Sequence, residues 1–288
     1  MMKFKVLPLL ALLSIASLTG CGKSTDVKFT YDDVNFTPIL GSKTNDEEYD
    51  DVVVNKIEGL REDFAMGVDA SMVLKVEEQG GVYFNADGVE QDVFQIMADH
   101  GVNFFRVRIW NNPFNKYGEG FGGGDVNIDR AIEMATRAKD AGMNVLVDLH
   151  YSDFWADPDT QTTPTKWAAY TKEELVAAVG TFTITTLNQF KNAGVHVDAI
   201  QLGNEINNGL LFPTGKIDWS EPETGYDFVC DVLKSGIAAA KSVNKDIYTV
   251  IHLANGGSKD EFNDYFAEVE ERGVDYDIIG ASYYPYYH

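Results

Sequence analysis

Ala138-Lys-Asp-Ala-Gly142-Met-Asn144 is the stretch of sequence that decides the fold. It ends an amphipathic segment with a glycine, which can adopt the left-handed conformation that closes the last turn of a helix, and it leads directly into an apolar run. The same device recurs at Met97–Asn103, Phe190–His196 and Val269–Asp275. Helix-to-strand joins of one repeated kind predict an architecture of parallel β/α units.

Six predicted strands follow from these joins and alternate with amphipathic segments. A closed barrel of such units has eight strands, so the sequence predicts an α/β fold, a TIM (β/α)8 barrel, with about six of its eight β/α units in this chain. A complete open α/β sheet is the alternative, but it would need a phosphate-binding G-x-G-x-x-G loop after a strand, and the sequence has none there. The predicted strands are Phe64–Asp69, Asn103–Ile109, Asn144–Leu149, Asp198–Leu202, Ile247–Leu253 and Asp277–Tyr283.

The N-terminal region has the features of an export signal. Two lysines precede an apolar run that ends at Leu18 and is too short to span a membrane. Leu18-Thr-Gly-Cys21 is similar to the lipobox of bacterial lipoproteins, in which Cys21 is lipidated; an ordinary signal peptide with a chance cysteine is the alternative. We expect an exported bacterial lipoprotein, anchored through Cys21 and facing the periplasm or the cell exterior. Its predicted segments are a lipoprotein signal peptide (1–20), a lipid-anchored acidic spacer (21–58) and an incomplete barrel (59–288).

The chain is strongly acidic, with 23 Lys and Arg residues against 45 Asp and Glu residues and a net charge of −22. Removal of residues 1–20 takes away two lysines and no acid, so the mature net charge is −24. Such a chain does not bind nucleic acid by charge. With Cys21 lipidated, Cys230 has no partner for an intrachain disulfide, and its apolar neighbours favour a buried position over a nucleophilic role.

Polar and aromatic side chains concentrate where the predicted strands end, which is the edge at which a β/α barrel holds its active site. The second strand ends in Arg106-Val-Arg108-Ile-Trp110, and its alternation places both arginines and Trp110 on one face. Buried arginines need anionic partners. We expect Arg108, which is nearer the tip, to hold a catalytic carboxylate ionised. An internal ion pair with Asp69 or Asp148 is the alternative, more for Arg106 than for Arg108.

The third strand leads into Asp148-Leu-His150-Tyr151-Ser-Asp-Phe-Trp155. An Asp-x-His pair can bind zinc, but a catalytic zinc site usually has three protein ligands and His252 is the only other well-placed histidine, so we expect no metal here. The faces of Trp110, Tyr151 and Trp155 are of the kind that pack on pyranose rings. We predict sugar contacts from these rings and from His150, with core packing as the alternative for each ring.

Glu205 is the only glutamate at a predicted strand tip, where Ala199-Ile-Gln-Leu-Gly-Asn-Glu205 places an amide and a carboxylate side by side. Two facing carboxylates cleave a glycosidic bond, so this pair predicts half of such a site, with a structural anchor as the alternative for Glu205. We add Asn255, after the fifth strand, and Tyr283, at the end of the sixth, as substrate-binding residues.

Taken together, these motifs resemble glycoside hydrolase family 53, the arabinogalactan endo-β-1,4-galactanases within the clan A retaining hydrolases. The motif after the third strand is specific, whereas Asn-Glu alone would indicate only the wider clan. The resemblance runs from about Asp63 to His288 and rests on Gly67–Ser71, Arg106–Pro113, Asp148–Pro158, Gln201–Asn207 and Ser282–Pro285.

The resemblance implies that Glu205 is the general acid/base and that Asn204 binds the 2-hydroxyl of the sugar being cleaved. The family's nucleophile is a second glutamate after a seventh strand, beyond His288. We therefore expect a C-terminally truncated chain that is inactive alone, needs no cofactor for its chemistry, and would hold any structural calcium in the later part. The expected partners are β-1,4-galactan or a related plant cell-wall polysaccharide and a membrane, without nucleic acid, and the expected state is a monomer.

Two rival functions stay open. One keeps the mechanism and changes the substrate to β-mannan or β-glucan. The other is a non-catalytic glycan-binding lipoprotein that uses the same aromatic cleft.

Overall fold

The computed structural model describes residues 37–39, 54–61 and 63–286. Cys21, the predicted signal peptide and most of the predicted spacer lie outside these residues. The chain divides into two units, of which the smaller is Cys21–Ala65 and the larger includes Met66–His288. Within the smaller unit, strands β1 (Thr37–Ile39) and β2 (Val54–Lys56) form an antiparallel pair.

The larger unit contains one sheet of six parallel strands in chain order, and each strand pairs with the next. All six predicted strands are confirmed; the third has the predicted bounds, the second, fourth and fifth begin one residue later, and the first and the last are each three residues shorter. Their carboxyl ends share one edge, as in consecutive units of a β/α barrel. The strands are β3 (Gly67–Asp69), β4 (Phe104–Ile109), β5 (Asn144–Leu149), β6 (Ala199–Leu202), β7 (Tyr248–Leu253) and β8 (Ile278–Ala281).

The helices start and stop at local signals in the sequence. The Thr171 side chain accepts from the Glu174 N–H, and the Glu174 side chain accepts from the Thr171 N–H, which is a complete capping box. The predicted joins are confirmed, because their glycines take the left-handed conformation, for example φ 84° at Gly142. The helices are α1 (Val73–Glu78), α2 (Val93–Asp99), α3 (Ile128–Asp140), α4 (Lys172–Asn192), α5 (Pro222–Val243) and α6 (Lys259–Glu271), with a 3-10 turn at Thr165–Trp167.

The core lies between the sheet and its helices. Alternate residues of β4 and β5, such as Val107 and Val147, are fully buried in this apolar layer. The residues between them, such as Arg106 and Asp148, therefore point to the other face of the sheet, where they can form a polar site. Cys230 belongs to the core as predicted, and burial raises the pKa of its thiol to about 11. Among the helices of the described ranges, none is long and apolar enough to cross a membrane.

Candidate active site

Arg106 lies at the centre of the polar face and joins four strands. Its guanidinium forms ion pairs of 2.7 Å with Asp69 of β3 and 2.7 Å with Asp148 of β5. It also donates to Gln201 Oε1 at 3.2 Å and to Asn204 Oδ1 at 3.0 Å, both from the β6 segment. The internal ion pair that was the alternative for Arg106 is therefore present, and this arginine also fixes the amide beside Glu205.

Asp148 is a fully buried carboxylate with a complete set of partners. Oδ1 accepts from Gln201 Nε2 at 2.7 Å, and Oδ2 lies 2.7 Å from Arg106 and 2.9 Å from His150 Nε2. Burial raises the pKa of Asp148, but Arg106 and His150 outweigh burial and hold the pKa below its ordinary value. Asp148 is therefore ionised and balances the charge of Arg106.

His150 and Trp110 support this site from within the protein, since each exposes only 1 % of its area. His150 Nδ1 accepts from Trp110 Nε1 at 3.2 Å and from the Ala156 N–H at 3.1 Å. Because Nδ1 accepts twice, its proton resides on Nε2, which lies 2.9 Å from Asp148 Oδ2. The sequence predicted that both rings contact sugar; the structure instead uses their polar atoms to fix Asp148 and the following loop.

Trp155 is the ring of this cluster that faces solvent, with 42 % of its area exposed. Its ring centroid lies 5.4 Å from that of Trp110, and the Arg108 guanidinium lies 4.3 Å from its centre. Arg108 also donates to the Gly123 carbonyl at 2.6 Å and pairs with Asp69 at 3.2 Å. Within the described residues the carboxylate partner of Arg108 is thus Asp69, which is the internal ion pair that was the alternative for this arginine.

Glu205 is held by its backbone and by its side chain. Its φ of 51° is unusual for a residue with a Cβ, so the surroundings must compensate for the strain. Its N–H donates to His252 Nδ1 at 3.2 Å, and its carbonyl accepts from Gln161 Nε2 at 3.3 Å. Ser282 Oγ donates to Oε1 of its carboxylate. This half-buried carboxyl is therefore fixed at the edge where β6, β7 and β8 end.

The Asn204 amide is oriented on both sides. Its Oδ1 accepts from Arg106, while its Nδ2 donates to the Ala156 carbonyl at 2.7 Å. An amide nitrogen carries two protons, so Nδ2 can donate a second hydrogen bond to a ligand hydroxyl. Asn204 and Glu205 thus place an amide that can donate to a sugar hydroxyl beside a carboxyl, as a glycosidic site requires.

Comparison with known proteins identifies the family. The model of glycosyl hydrolase family 53 matches residues 65–288. The chain belongs to glycosyl hydrolase family 53. This family 53 chain is 36 % identical over 239 residues to "Endo-beta-1,4-galactanase" of Bacillus subtilis, and the match covers 83 % of this chain and 53 % of that protein. It is 37 % identical over 229 residues to "Arabinogalactan endo-beta-1,4-galactanase" of Humicola insolens, covering 77 % and 64 %.

A solved structure supports the same assignment. The "Ignisphaera aggregans GH53 catalytic domain" matches with a TM-score of 0.77 at 40 % identity, over 82 % of this chain and 64 % of that one. The six parallel strands and their flanking helices are thus part of a TIM barrel, as predicted. This family 53 chain spans 53 to 64 % of the lengths of the three proteins named.

Three further predicted residues of this family 53 chain follow the ends of β5, β7 and β8. Tyr151 is buried at 1 % exposure, and its hydroxyl lies 2.8 Å from Thr183 Oγ1 of α4, so the prediction that it contacts sugar is wrong. The strand alternation already carried this signal, because it puts Asp148 and His150 inward and Tyr151 outward. Asn255 is exposed with φ 60° and donates to Glu261 at 3.2 Å. Tyr283 exposes 42 % of its area beside Ser282.

Sequence reasoning missed Gln161, Gln201, His252 and Ser282 as residues of the site. Gln201 and His252 are polar residues within apolar strands, and that contrast could have identified them. Gln161 comes from a long loop and Ser282 follows β8, and neither has a distinguishing pattern. Within residues 54–61 and 63–286, no three His, Cys, Asp or Glu side chains are grouped closely enough to hold a metal ion.

Proposed function

We propose that the protein is an endo-acting glycoside hydrolase that cleaves β-1,4-galactosidic linkages in the (arabino)galactan side chains of pectin. The observation that carries the proposal is the oriented Asn204–Glu205 pair at the tip of β6, inside a family 53 barrel segment. The names of the Bacillus and Humicola relatives support galactan as the substrate.

In the proposed retaining mechanism, Glu205 protonates the glycosidic oxygen and then, as a carboxylate, removes a proton from water. Asn204 Nδ2 donates to the sugar 2-hydroxyl, a contact that strengthens as positive charge develops at the anomeric carbon. Trp155 offers its exposed indole face to a pyranose ring. None of these steps needs a cofactor.

The mechanism also needs a nucleophilic carboxylate about 5 to 5.5 Å from the acid/base. Within residues 63–286, Asp69 and Asp148 both lie at strand tips, but each is paired with Arg106. We infer that the nucleophile belongs to a barrel strand after β8, as the family resemblance implies, and that residues 1–288 alone do not turn over galactan. A structural calcium, where one is bound, would belong to that later part.

The test uses the protein made from its whole gene. We expect oligosaccharide release from β-1,4-galactan and none from β-mannan or β-glucan. Glu205→Gln should abolish release while leaving affinity for galacto-oligosaccharides within about twofold in calorimetry, because the amide keeps the shape of the side chain. Glu271→Gln, at the exposed end of α6, is the matched control.

Each alternative outcome is distinct. Release from mannan or glucan alone would replace the substrate, and binding without release from any polysaccharide would favour a glycan-binding protein. Full turnover by Glu205→Gln would overturn the acid/base assignment.

The proposed location is a bacterial membrane surface, with the enzyme monomeric and anchored by lipid on Cys21 and facing the periplasm or the cell exterior. Its support is the Leu18–Cys21 motif after an apolar run. Metabolic labelling with an alkyne fatty acid should label the protein, and Cys21→Ser should remove both the label and the membrane association. Labelling that persists in Cys21→Ser would contradict the anchor.

A further inference from the structure

His252 contacts Glu205 at both ends of that residue. Its Nδ1 accepts the Glu205 backbone N–H at 3.2 Å. Its Nε2 lies 3.1 Å from Ser282 Oγ, which in turn donates to Glu205 Oε1. His252 on β7 and Ser282 after β8 thus close a ring of hydrogen bonds with Glu205, which follows β6.

The tautomer of His252 determines which atom donates and which accepts in each hydrogen bond of this ring. Because the Glu205 N–H donates to His252 Nδ1, that nitrogen is an acceptor and the imidazole proton must be on Nε2. Nε2 therefore donates to Ser282 Oγ. The hydroxyl proton of Ser282 is then left to donate to Glu205 Oε1.

The charges around the ring keep His252 neutral. The charged and titratable groups that face it are Arg106 on β4, Asp148 and His150 on β5, and Glu205 after β6. Burial, followed by repulsion from Arg106, lowers the pKa of His252 to about 3. A neutral imidazole with a fixed tautomer is a one-way donor over the working pH range of most enzymes.

We propose that His252 and Ser282 are positioning residues for the acid/base, because their directed chain occupies Glu205 Oε1 and leaves Oε2 as the oxygen that carries the proton. This inference rests on the proposed hydrolase function and deepens it. Neither residue is assigned a contact with substrate.

The proton account is balanced. In the first step the Oε2–H bond breaks, the glycosidic oxygen gains that proton as its bond to the anomeric carbon breaks and the nucleophilic carboxylate bonds to that carbon, and Glu205 becomes a carboxylate. In the second step a water loses a proton to Oε2 as its oxygen bonds to the anomeric carbon and the bond from that carbon to the nucleophile breaks. The Ser282 proton stays on Oγ throughout, and its bond to Oε1 is stronger while Glu205 is ionised.

Histidine NMR tests the direction of the chain without any turnover. In protein labelled with 15N-histidine, we expect His252 to show a protonated Nε2 and an unprotonated Nδ1, unchanged from pH 5 to pH 8. The spectrum of His252→Gln assigns the signal. A proton on Nδ1, or an imidazolium in that range, would overturn the proposal even if galactan hydrolysis were established.

Kinetics test the consequence for Glu205. Ser282→Ala removes a donor to the ionised carboxyl, so the acid should stay protonated to higher pH and the alkaline limb of kcat/KM should move up by about 0.5 to 1 pH unit. We expect kcat on galactan to fall about tenfold with KM little changed, since the carboxyl is less well positioned. Ser282→Thr keeps the hydroxyl and should restore both.

Ser242→Ala is the matched control, because that hydroxyl bonds only its own helix, at Ala239. An alkaline limb and kcat that are the same in Ser282→Ala as in this control would overturn the positioning role. Loss of activity in every variant, including the control, together with an NMR signal for a proton on His252 Nε2 would count against the hydrolase proposal and not against the directed hydrogen bonds from His252 to Glu205.

Discussion

Arg106→Met should destabilise the protein by about 3 kcal/mol. The substitution keeps much of the side-chain volume but removes both ion pairs, to Asp69 and to Asp148, and the hydrogen bonds to Gln201 and Asn204. Asp148 has no exposed area, so its charge would be left with neutral partners only. The free-energy cost of this buried, unpaired carboxylate sets the size of the expected loss of stability.

Removal of one partner from a buried ion pair typically costs about 3 to 5 kcal/mol. The lower end applies here because the Arg106 side chain keeps 29 % of its area exposed, and water can partly replace it. For comparison, Arg61 and Asp63 form an ion pair with 74 % and 67 % of the side chains exposed. Arg61→Met, the same chemical change, should cost less than about 1 kcal/mol.

Urea titration followed by tryptophan fluorescence measures both variants. A double-mutant cycle with Asp148→Asn isolates the ion pair. The loss of stability in the double variant should be smaller than the sum of the two single losses by about 2 kcal/mol, because no uncompensated charge remains. An Arg106→Met loss equal to that of Arg61→Met, or additive losses in the cycle, would refute the reasoning that Arg106 neutralises Asp148.

Three further predictions concern single side chains. Histidine in the unfolded chain binds a proton below about pH 6.5, whereas folded His252 binds one only near its pKa of about 3. The free energy of unfolding should therefore fall by about 2 kcal/mol from pH 7.5 to pH 5. Urea titrations of His252→Gln should lack that loss. Trp155→Ala should weaken galacto-oligosaccharide binding about tenfold in calorimetry while changing stability by less than about 1 kcal/mol, and unchanged affinity would remove Trp155 from the site. Tyr151→Phe should cost about 1 kcal/mol of stability and leave the affinity for galacto-oligosaccharides unchanged, since the Tyr151 hydroxyl bonds Thr183 in the core. Weaker binding would show that Tyr151 contacts the substrate.

The strands were predictable because their signals are local. A glycine at the end of a helix and an apolar run after it depend on a few neighbouring residues, and the joins at Gly101, Gly142, Gly194 and Gly273 all have positive φ. The partners of charged side chains were less predictable. Arg106 is in register with Leu146, yet it binds Asp148 two residues nearer the tip, because its long side chain extends along the strand direction. Strand alternation fixes the face of a residue and not its reach.

The ring around Glu205 could not be predicted from the sequence. It joins residues 205, 252 and 282, which come together only when β6, β7 and β8 align their ends. Serine after a strand is common, and nothing near Ser282 in the sequence indicates a carboxylate partner. Contacts between strand tips depend on register, which is set by the whole sheet.

The most direct test of the central claim compares leaving groups in Glu205→Ala. Galactan has a poor leaving group that needs a proton, whereas a dinitrophenyl β-galactobioside does not. In the protein made from its whole gene, we expect turnover of galactan to fall by about 10²- to 10⁴-fold, while the first release of dinitrophenol is nearly unchanged. Equal losses on both substrates, or galactan turnover close to that of the unmodified protein, would contradict the assignment of Glu205 as the general acid.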